Sequence, residues 1–248
     1  MMAAVLLIAL FGGWEAYTRV SGIDAFVLPP PSAIATSLVD DRALLWSNFT
    51  VTAGEIALGM LVALVLGLVC AVAIHFSALL RRAIYPLLVG SQTIPIVLVA
   101  PLLVAWWGFG LMPKLAIVAL VCFFPVVVPT LDGLDRVDGD LRKLMRTFGA
   151  SRWQTFRIVE APAALPGLLT GMKLSVAIAA IAATLAEYAG SDAGLGNLML
   201  KAIPQFETAR AFAAVLVLSA FSVALFGLLA FAERRLLPWA HQPRGTTP

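Results

Sequence analysis

The sequence predicts an all-α membrane protein with six transmembrane helices. Apolar residues make up 61% of its 248 residues and charged residues only 12%, whereas a typical soluble domain is about 25% charged. A soluble chain of this length could not bury so much apolar surface. The apolar residues also fall in runs of about 20, the length at which a helix crosses a bilayer core of roughly 30 Å. Composition and pattern therefore exclude a soluble globular protein.

The six predicted spans share a predominantly apolar character, and they are 2–20, 50–76, 84–109, 115–131, 165–188 and 212–231. The first is short enough to be a signal peptide, but no basic segment precedes it and no clear cleavage site follows, which favours a retained helix. Prolines within the third and fourth spans should bend them. Gly54, Gly59 and Gly67 in the second span would permit close helix approach. No internal repeat or large polar block is present, so 1–248 is expected to be a single transmembrane domain.

A short helix is predicted between the first two spans. The proline-rich segment 28–32 should interrupt helix, because each proline disfavours helix in the residue before it. Ser32 can then cap a helix that runs through Leu45. Ile34, Leu38 and Leu45 are spaced to share one face, so this helix is expected to lie on the outer membrane surface.

Later in the chain, the sequence of residues 190–201 indicates a glycine-bearing loop or re-entrant segment.

The longest polar stretch, residues 136–166, holds six of the seventeen Lys and Arg residues. Alternating the loops across the bilayer places eleven basic residues, Arg244 among them, on the side of this stretch. Five lie on the opposite side, and Lys173 lies within a span. By the positive-inside rule, the polar stretch and both termini are predicted to be cytoplasmic.

This stretch is predicted to form two short amphipathic helices joined at Gly149. Ser151 can cap the second helix, which Pro162 and Pro166 are expected to end. Such a pair suits a groove on another protein, but it could also lie on anionic lipid headgroups, and spacing alone does not decide. The apolar positions at helical spacing are Leu141, Leu144, Met145 and Phe148, then Trp153, Phe156 and Val159.

The polar stretch resembles the cytoplasmic loop of bacterial ABC importer permeases. In that loop an EAA triplet is followed by three residues, Gly, nine residues, Ile, one residue and Leu-Pro. Gly149 stands at the glycine, Val159 at the isoleucine and Ala161-Pro162 at the Leu-Pro. The triplet is Lys143-Leu144-Met145, so the charge at its first position is reversed. The resemblance therefore leaves open whether Lys143 performs the role of the family's glutamate.

Further landmarks resemble the nitrate, sulfonate and taurine branch of these permeases, and they cover nearly the whole chain in order. They are LPPPSAI after the first span, FGASRWQTFRIVEAPAALPGLLTGMK in the polar stretch, and AEYAGSDAGLGNLM after the fifth span. The tail FETARAFAAVLVLSAFSVALFGLLAFAERRLLPW is more similar to permeases for vitamin precursors. A small organic solute such as a pyrimidine or riboflavin-type vitamin precursor is therefore expected. The alternative substrate class is sulfonate, taurine or nitrate.

The resemblance implies the type I ABC importer permease fold in a bacterial inner membrane. It also implies a homodimer, a cytoplasmic ABC ATPase dimer that binds ATP and Mg, and an extracytoplasmic substrate-binding protein. Segment 136–162 would couple the permease to the ATPase between spans 4 and 5. The residues expected to do so are Lys143, Leu144, Met145, Gly149, Ala150, Trp153, Phe156, Val159 and Pro162.

The chain itself is expected to be neither an enzyme nor a cofactor-binding protein. It has no Gly-rich Lys-Ser/Thr loop that could bind phosphates. Cys70 and Cys122 fall inside spans, and His75 and His241 show no metal-ligand spacing, so neither a disulfide nor a metal site is predicted. Nucleic acid is not an expected partner.

A few polar residues within the spans are candidates for the translocation pathway. Ser91, Gln92 and Thr93 form a deep polar cluster that either lines a pathway or bonds neighbouring helices. Glu187, near the outer end of the fifth span, is either an outer gate or an interfacial residue. Lys173 lies nearer the cytoplasmic end and is the deep basic residue that an anion pathway would use.

Two rival functions follow from the residues alone. The first is a secondary transporter or channel that uses no ATPase. The second is a membrane scaffold whose basic loop recruits a cytoplasmic protein. Polar residues deep in the spans and proline-broken helices argue against a pure scaffold.

Overall fold

The computed structural model describes residues 2–241, without the side chains of 3, 4, 7, 240 and 241. This part of the chain consists of helices and the short segments that connect them. Arg244 lies outside the described residues. No strand occurs between residues 2 and 241. The α-helices are α1 (Met2–Val20), α2 (Pro31–Asp40), α3 (Arg42–Phe76), α4 (Ala78–Ser91), α5 (Ile96–Trp107), α6 (Leu111–Asp135), α7 (Gly139–Thr147), α8 (Arg152–Thr155), α9 (Ala161–Gly190), α10 (Leu195–Ala202) and α11 (Thr208–Leu236).

Four helical runs in the described chain are long and apolar enough to cross a membrane, namely α3, α6, residues 152–190 and α11. The pair α4 and α5 makes a fifth if the two together count as one span. Helix α1 forms over the predicted residues but is not among these runs. The structure therefore supports four or five of the six predicted spans.

The third predicted span is not one continuous helix. Helices α4 and α5 meet at an angle of 101°, with the break at residues 92–95. Pro95 directly precedes α5 and disfavours helical geometry in the residue before it. Ser91 and Thr93 use their hydroxyls to donate to the carbonyls of Leu88 and Gly90 at the end of α4. The predicted polar cluster thus lies at a break rather than within a helix.

The polar stretch has the predicted hinge but not the predicted end. Gly149 has φ +75°, a left-handed conformation that favours glycine. Ser151 caps α8 through a reciprocal capping box with Gln154, as predicted. The expected stop at Pro162 is wrong, because helix continues from α8 into α9 through a π turn at Phe156–Glu160.

This continuation has a physical reason. Proline lacks an N–H group and its ring clashes with the carbonyl four residues earlier in a regular helix. In the π turn the bond preceding the proline instead spans five residues, from the N–H of Ala161 to the carbonyl of Phe156. Pro162 directly follows this bond, so its missing N–H group falls where the regular four-residue hydrogen bonding is already interrupted. The fifth span therefore joins the polar stretch without a flexible linker.

The outer helix α2 also differs from its prediction. It begins after Pro30 and ends at Asp40 rather than at Leu45, and no side chain caps its start. Ser32 lies inside the helix, where its hydroxyl donates to Glu15 Oε1 over 2.7 Å. Ile34 and Leu45 nevertheless pack in one apolar cluster, as their spacing predicted.

Helix α6 lies between α3 and α9 at the centre of the bundle. Two of the three glycines predicted for close approach on α3 contact it. A Cβ atom at Gly59 would lie 2.6 Å from Val118, and one at Gly67 would lie 2.7 Å from Val126. A Cβ atom at Gly54 would meet nothing within 4 Å.

On the other side of α6, α9 approaches through the sequence GLLTG, which is a small-xxx-small motif. Cβ atoms at its two glycines, Gly167 and Gly171, would overlap the carbonyl groups of Pro129 and Pro125. Backbone therefore packs directly on backbone in the centre of the bundle.

Candidate coupling segment and translocation pathway

Helix α7 lies at the surface of the protein, and none of its residues is buried. Lys143 Nζ donates to Asp140 Oδ1 over 2.8 Å, and the two side chains are 77% and 83% exposed. An exposed pair of this kind contributes little stability. Lys143 can therefore exchange this intrahelical partner for an acidic group on another molecule at small cost.

Large apolar side chains near α7 face outward. Leu144 is 50% exposed, Phe148 78% and Trp153 59%. Trp153 also stacks on Phe156, whose ring centroid lies 5.2 Å away, and Phe156 is buried against Phe76 at the end of α3. The exposed face is thus attached to the bundle through aromatic contacts.

The predicted coupling residues differ in exposure. Lys143, Leu144, Gly149 and Trp153 are exposed, Met145, Ala150, Val159 and Pro162 are half-buried, and Phe156 is buried. They are distributed over α7, the Gly149 turn, α8, the π turn and the start of α9, so they lie along one continuous segment.

Sequence reasoning missed an ionic cluster beneath this segment. Glu160 Oε1 accepts from Arg142 Nε over 2.7 Å, and Glu160 Oε2 lies 2.8 Å from His75 Nε2. A carboxylate only accepts, so His75 Nε2 is the donor. Arg142 and Glu160 are 18 residues apart and His75 and Glu160 are 85 apart, so no local spacing could reveal the cluster.

The break between α4 and α5 borders a cleft of about 570 Å³. Its walls come from the break itself, from α5, and from the middle of α6 and α9. They carry no charged side chain. The lining residues are Ser91, Gln92, Ile94, Pro95, Ile96, Val99, Leu120, Val121, Ile178, Ile181 and Ala182.

The amide of Gln92 is the largest polar group of this cleft. Its Nε2 donates to Ser91 Oγ over 3.3 Å, and the side chain is otherwise exposed. Thr93 lies beside them at the break but is not part of the lining. Ser91 and Gln92, two of the three residues of the predicted polar cluster, therefore line this open and mainly apolar cleft.

Glu187 is fully buried. It accepts a hydrogen bond from Thr52 over 2.6 Å and two from the backbone N–H groups of Gly196 (2.6 Å) and Asn197 (3.1 Å). Those N–H groups belong to the first turn of α10, where helix donors lack internal partners. A Cβ atom at Gly194 or Gly196 would overlap the carboxyl group. Glu187 therefore holds the loop at 191–194 and the start of α10 against α9 and α3.

A buried ion pair between Lys114 and Glu55 lies beside Glu187. Lys114 Nζ donates to Glu55 Oε1 and to Ser191 Oγ, each over 2.6 Å. Lys114 directly precedes the fourth predicted span, 115–131, yet its side chain is only 10% exposed. Lys114 and Glu55 are 59 residues apart, which explains why the pairing was not predicted.

The deep lysine Lys173 is paired rather than free. Its Nζ donates to Glu233 Oε2 over 2.6 Å, and the two side chains are 19% and 11% exposed. The candidate cation for an anion pathway is therefore neutralised by a carboxylate of α11.

This arrangement of spanning helices, an exposed basic helix and an uncharged cleft is that of a membrane transport subunit. Residues 63–238 match the family described as "Binding-protein-dependent transport system inner membrane component". The chain belongs to this family of ABC transporter permeases, which are transport components and not enzymes.

Named relatives cover nearly the whole chain. It is 34% identical over 227 residues to the formylaminopyrimidine transport permease protein ThiX of Halalkalibacterium halodurans, covering 91% of this chain and 90% of the relative. It is 34% identical over 237 residues to the riboflavin transport system permease protein RibX of Chloroflexus aurantiacus, covering 95% and 88%. It is 29% identical over 247 residues to the putative aliphatic sulfonates transport permease protein SsuC of Bacillus subtilis, covering 99% and 90%. The resemblance to both groups of permeases is confirmed.

A solved structure shares the fold. A chain of the MetNI methionine ABC transporter in an inward-facing conformation superposes with a TM-score of 0.66 at 20% identity. The match covers 81% of this chain and 98% of that one. The predicted ABC importer permease fold is thus confirmed at the level of the helical bundle.

Proposed function

We propose that this chain is the membrane subunit of an ATP-driven importer for a small, uncharged organic solute. A partner ATPase dimer would bind ATP and Mg, and an extracytoplasmic binding protein would deliver the solute. A second copy of the chain would complete the pathway. In this proposal the bilayer is crossed six times, with α1 as the first span and both termini cytoplasmic.

The observation that carries the proposal is the exposed segment from α7 to α8. A basic helix with outward-facing Leu144, Phe148 and Trp153 suits a groove on a protein, because aromatic and large apolar side chains become favourable contacts once buried. The turn at Gly149 separates α7 from α8. Because the helix is uninterrupted from α8 into α9, a displacement of α8 can be transmitted to the membrane-spanning part of α9. We propose that this segment, including Lys143, docks on the ATPase.

Substrate class follows from the cleft beside Gln92. Its lining is uncharged, and Lys173 on α9 already has a carboxylate partner. A sulfonate or nitrate would need a compensating cation or several donors in so apolar a space. An amide and a hydroxyl among apolar walls suit a planar heterocycle with few polar groups. The relatives named for formylaminopyrimidine and riboflavin agree with this choice.

For Glu187, the buried contacts favour an anchor for the outer loop over a moving gate. Its partners come from α3 and α10, and each of its oxygens accepts at least one hydrogen bond. A gate residue must break such bonds in every transport cycle, at a cost for each buried donor that is left unpaired.

The deciding experiment reconstitutes the permease with its ATPase and binding protein in liposomes and measures solute-stimulated ATP hydrolysis and uptake. We expect pyrimidine-type or flavin-type solutes to stimulate both activities, and taurine and nitrate to stimulate neither. Uptake by the permease alone, without ATP, would instead establish an ATP-independent transporter. A complex that moves no solute at all would favour the scaffold.

A cysteine at Gln92 tests the pathway in the same preparation. We expect a water-soluble thiol reagent to label Gln92→Cys in at least one nucleotide state and the transported solute to slow the labelling. Val223→Cys is the matched control, because Val223 is 72% exposed on α11, away from the cleft. Labelling of Gln92→Cys that never differs from this control would remove the residue from the pathway.

A further inference from the structure

Among the described residues of α7, Arg142 alone has a side chain that forms hydrogen bonds or an ion pair with the membrane helices. Arg142 donates through Nε to Glu160 and through NH2 to the carbonyl of Leu134, each over 2.7 Å. These are the only hydrogen bonds or ion pairs between an α7 side chain and another helix within the described residues. The other polar contacts of α7 side chains, such as Lys143 with Asp140, stay within the helix or its cap.

The partner of Arg142 lies where three membrane helices meet. Glu160 ends the π turn that continues as α9, and its second oxygen contacts His75 in the last turn of α3. Leu134 belongs to the last turn of α6. The hydrogen bonds of Arg142 and Glu160 thus connect α7 to α3, α6 and α9.

Burial makes this connection strong. The side chain of Glu160 is 8% exposed and that of His75 is 10% exposed, so water competes little for their hydrogen bonds. Charge-assisted hydrogen bonds are roughly twice as strong as neutral ones. By contrast, the covalent connections of α7 run through short turns at 136–138 and 148–151, which can change their backbone angles.

We infer that Glu160, with Arg142, is a positioning residue that transmits movement of α7 to the inner ends of α3, α6 and α9. This inference rests on the proposed function, in which an ATPase moves α7. When α7 is displaced, Arg142 moves the carboxylate of Glu160 and, through it, the π turn and His75. Without this link the turns around α7 absorb the displacement, and ATP hydrolysis continues without solute movement.

The test measures solute imported per ATP hydrolysed in the reconstituted complex. Glu160→Gln removes the negative charge of the link at nearly unchanged volume, and Arg142→Gln removes its positive charge with a shorter polar side chain. We expect ATPase activity to be retained and import per ATP to fall about tenfold, as the loss of a charge-assisted hydrogen bond implies. The double variant should be no worse than either single variant, because both break the same link. Arg157→Gln is the control, an exposed arginine of the same π turn with no bond in the described chain.

Several outcomes would overturn the inference. Normal import per ATP in both single variants would show that the link transmits nothing. A parallel fall in ATPase activity and import, together with a lower unfolding temperature in both variants, would show a purely structural role. Arg142→Gln guards against misfolding, because the Arg142 side chain is 30% exposed. If the wild-type complex itself shows no ATP-driven import, the proposed function fails and the inference fails with it.

Discussion

Replacing Glu187 by alanine should release the loop at 191–194 and the start of α10 from the bundle. The carboxylate oxygen Oε2 accepts from the N–H groups of Gly196 and Asn197, and both donors are buried. Alanine leaves them without an acceptor, and each buried unsatisfied group costs about 1–3 kcal/mol. The expected loss of unfolding free energy is therefore about 2–6 kcal/mol, before the cost of the cavity is added.

Glutamine at the same position should be tolerated. Its carbonyl oxygen can accept from the two N–H groups of α10, while its amide donates to the hydroxyl of Thr52. Thr52 can then donate to the carbonyl of Asn48, which lies 3.3 Å away. We expect the unfolding free energy of Glu187→Gln to stay within about 1 kcal/mol of the wild type.

The assay is thermal unfolding of the purified permease in nanodiscs, paired with uptake in the reconstituted complex. Leu174→Ala serves as control, because Leu174 is 52% exposed on the same helix α9. Equal unfolding temperatures for Glu187→Ala and this control would refute the anchor. If Glu187→Gln unfolds normally yet abolishes uptake, Glu187 acts as a gate and our proposal for it is wrong.

Three further predictions concern the hinge, the core and the outer surface. Gly149→Leu should leave the bundle folded but uncouple uptake from ATP hydrolysis, because φ +75° strains any side-chain-bearing residue at the turn; unchanged import per ATP would contradict this. Gly171→Ala should lower the unfolding temperature, since its Cβ overlaps a carbonyl of α6, whereas Gly54→Ala, which meets nothing within 4 Å, should not; equal shifts would argue against the close contact. The hydrogen bond from Arg210 lowers the pKa of the Asp41 carboxyl, so their pairing stabilises the fold above the unfolded-state pKa and is lost as pH falls through the folded-state value. Arg210→Gln should destabilise at pH 7, and its difference from wild type should begin to shrink below about pH 4 and vanish only below the lowered pKa of Asp41. A pH-independent difference would refute the pairing.

Local patterns in the sequence predicted much of the fold. Hydropathy located the apolar helices, because burial in lipid requires apolar side chains along the whole length of a span. The turn at Gly149 and the cap at Ser151 were predicted because left-handed geometry and helix capping depend on adjacent residues. The order of family motifs also predicted the permease fold.

Where local rules failed, tertiary packing had overridden them. Prolines predict breaks, but the break formed at Pro95 and not at Pro162. A π turn and the packing of α9 against α6 keep the helix continuous past Pro162. Proline chemistry therefore indicates where a helix is weakened, and the neighbouring elements decide whether it breaks.

By itself the sequence determined an apolar helical bundle with a basic segment on one side, since hydropathy and charge are properties of the residues themselves. Only the tertiary structure decided which ionisable groups meet. Glu187 and Thr52 are 135 residues apart, and Glu160 and His75 are 85 apart. A carboxylate in an apolar span is costly alone and stable once it is hydrogen-bonded, and its partners come from whichever helices pack beside it. The proposed anchor at Glu187 and the proposed link at Glu160 therefore both depend on helix packing.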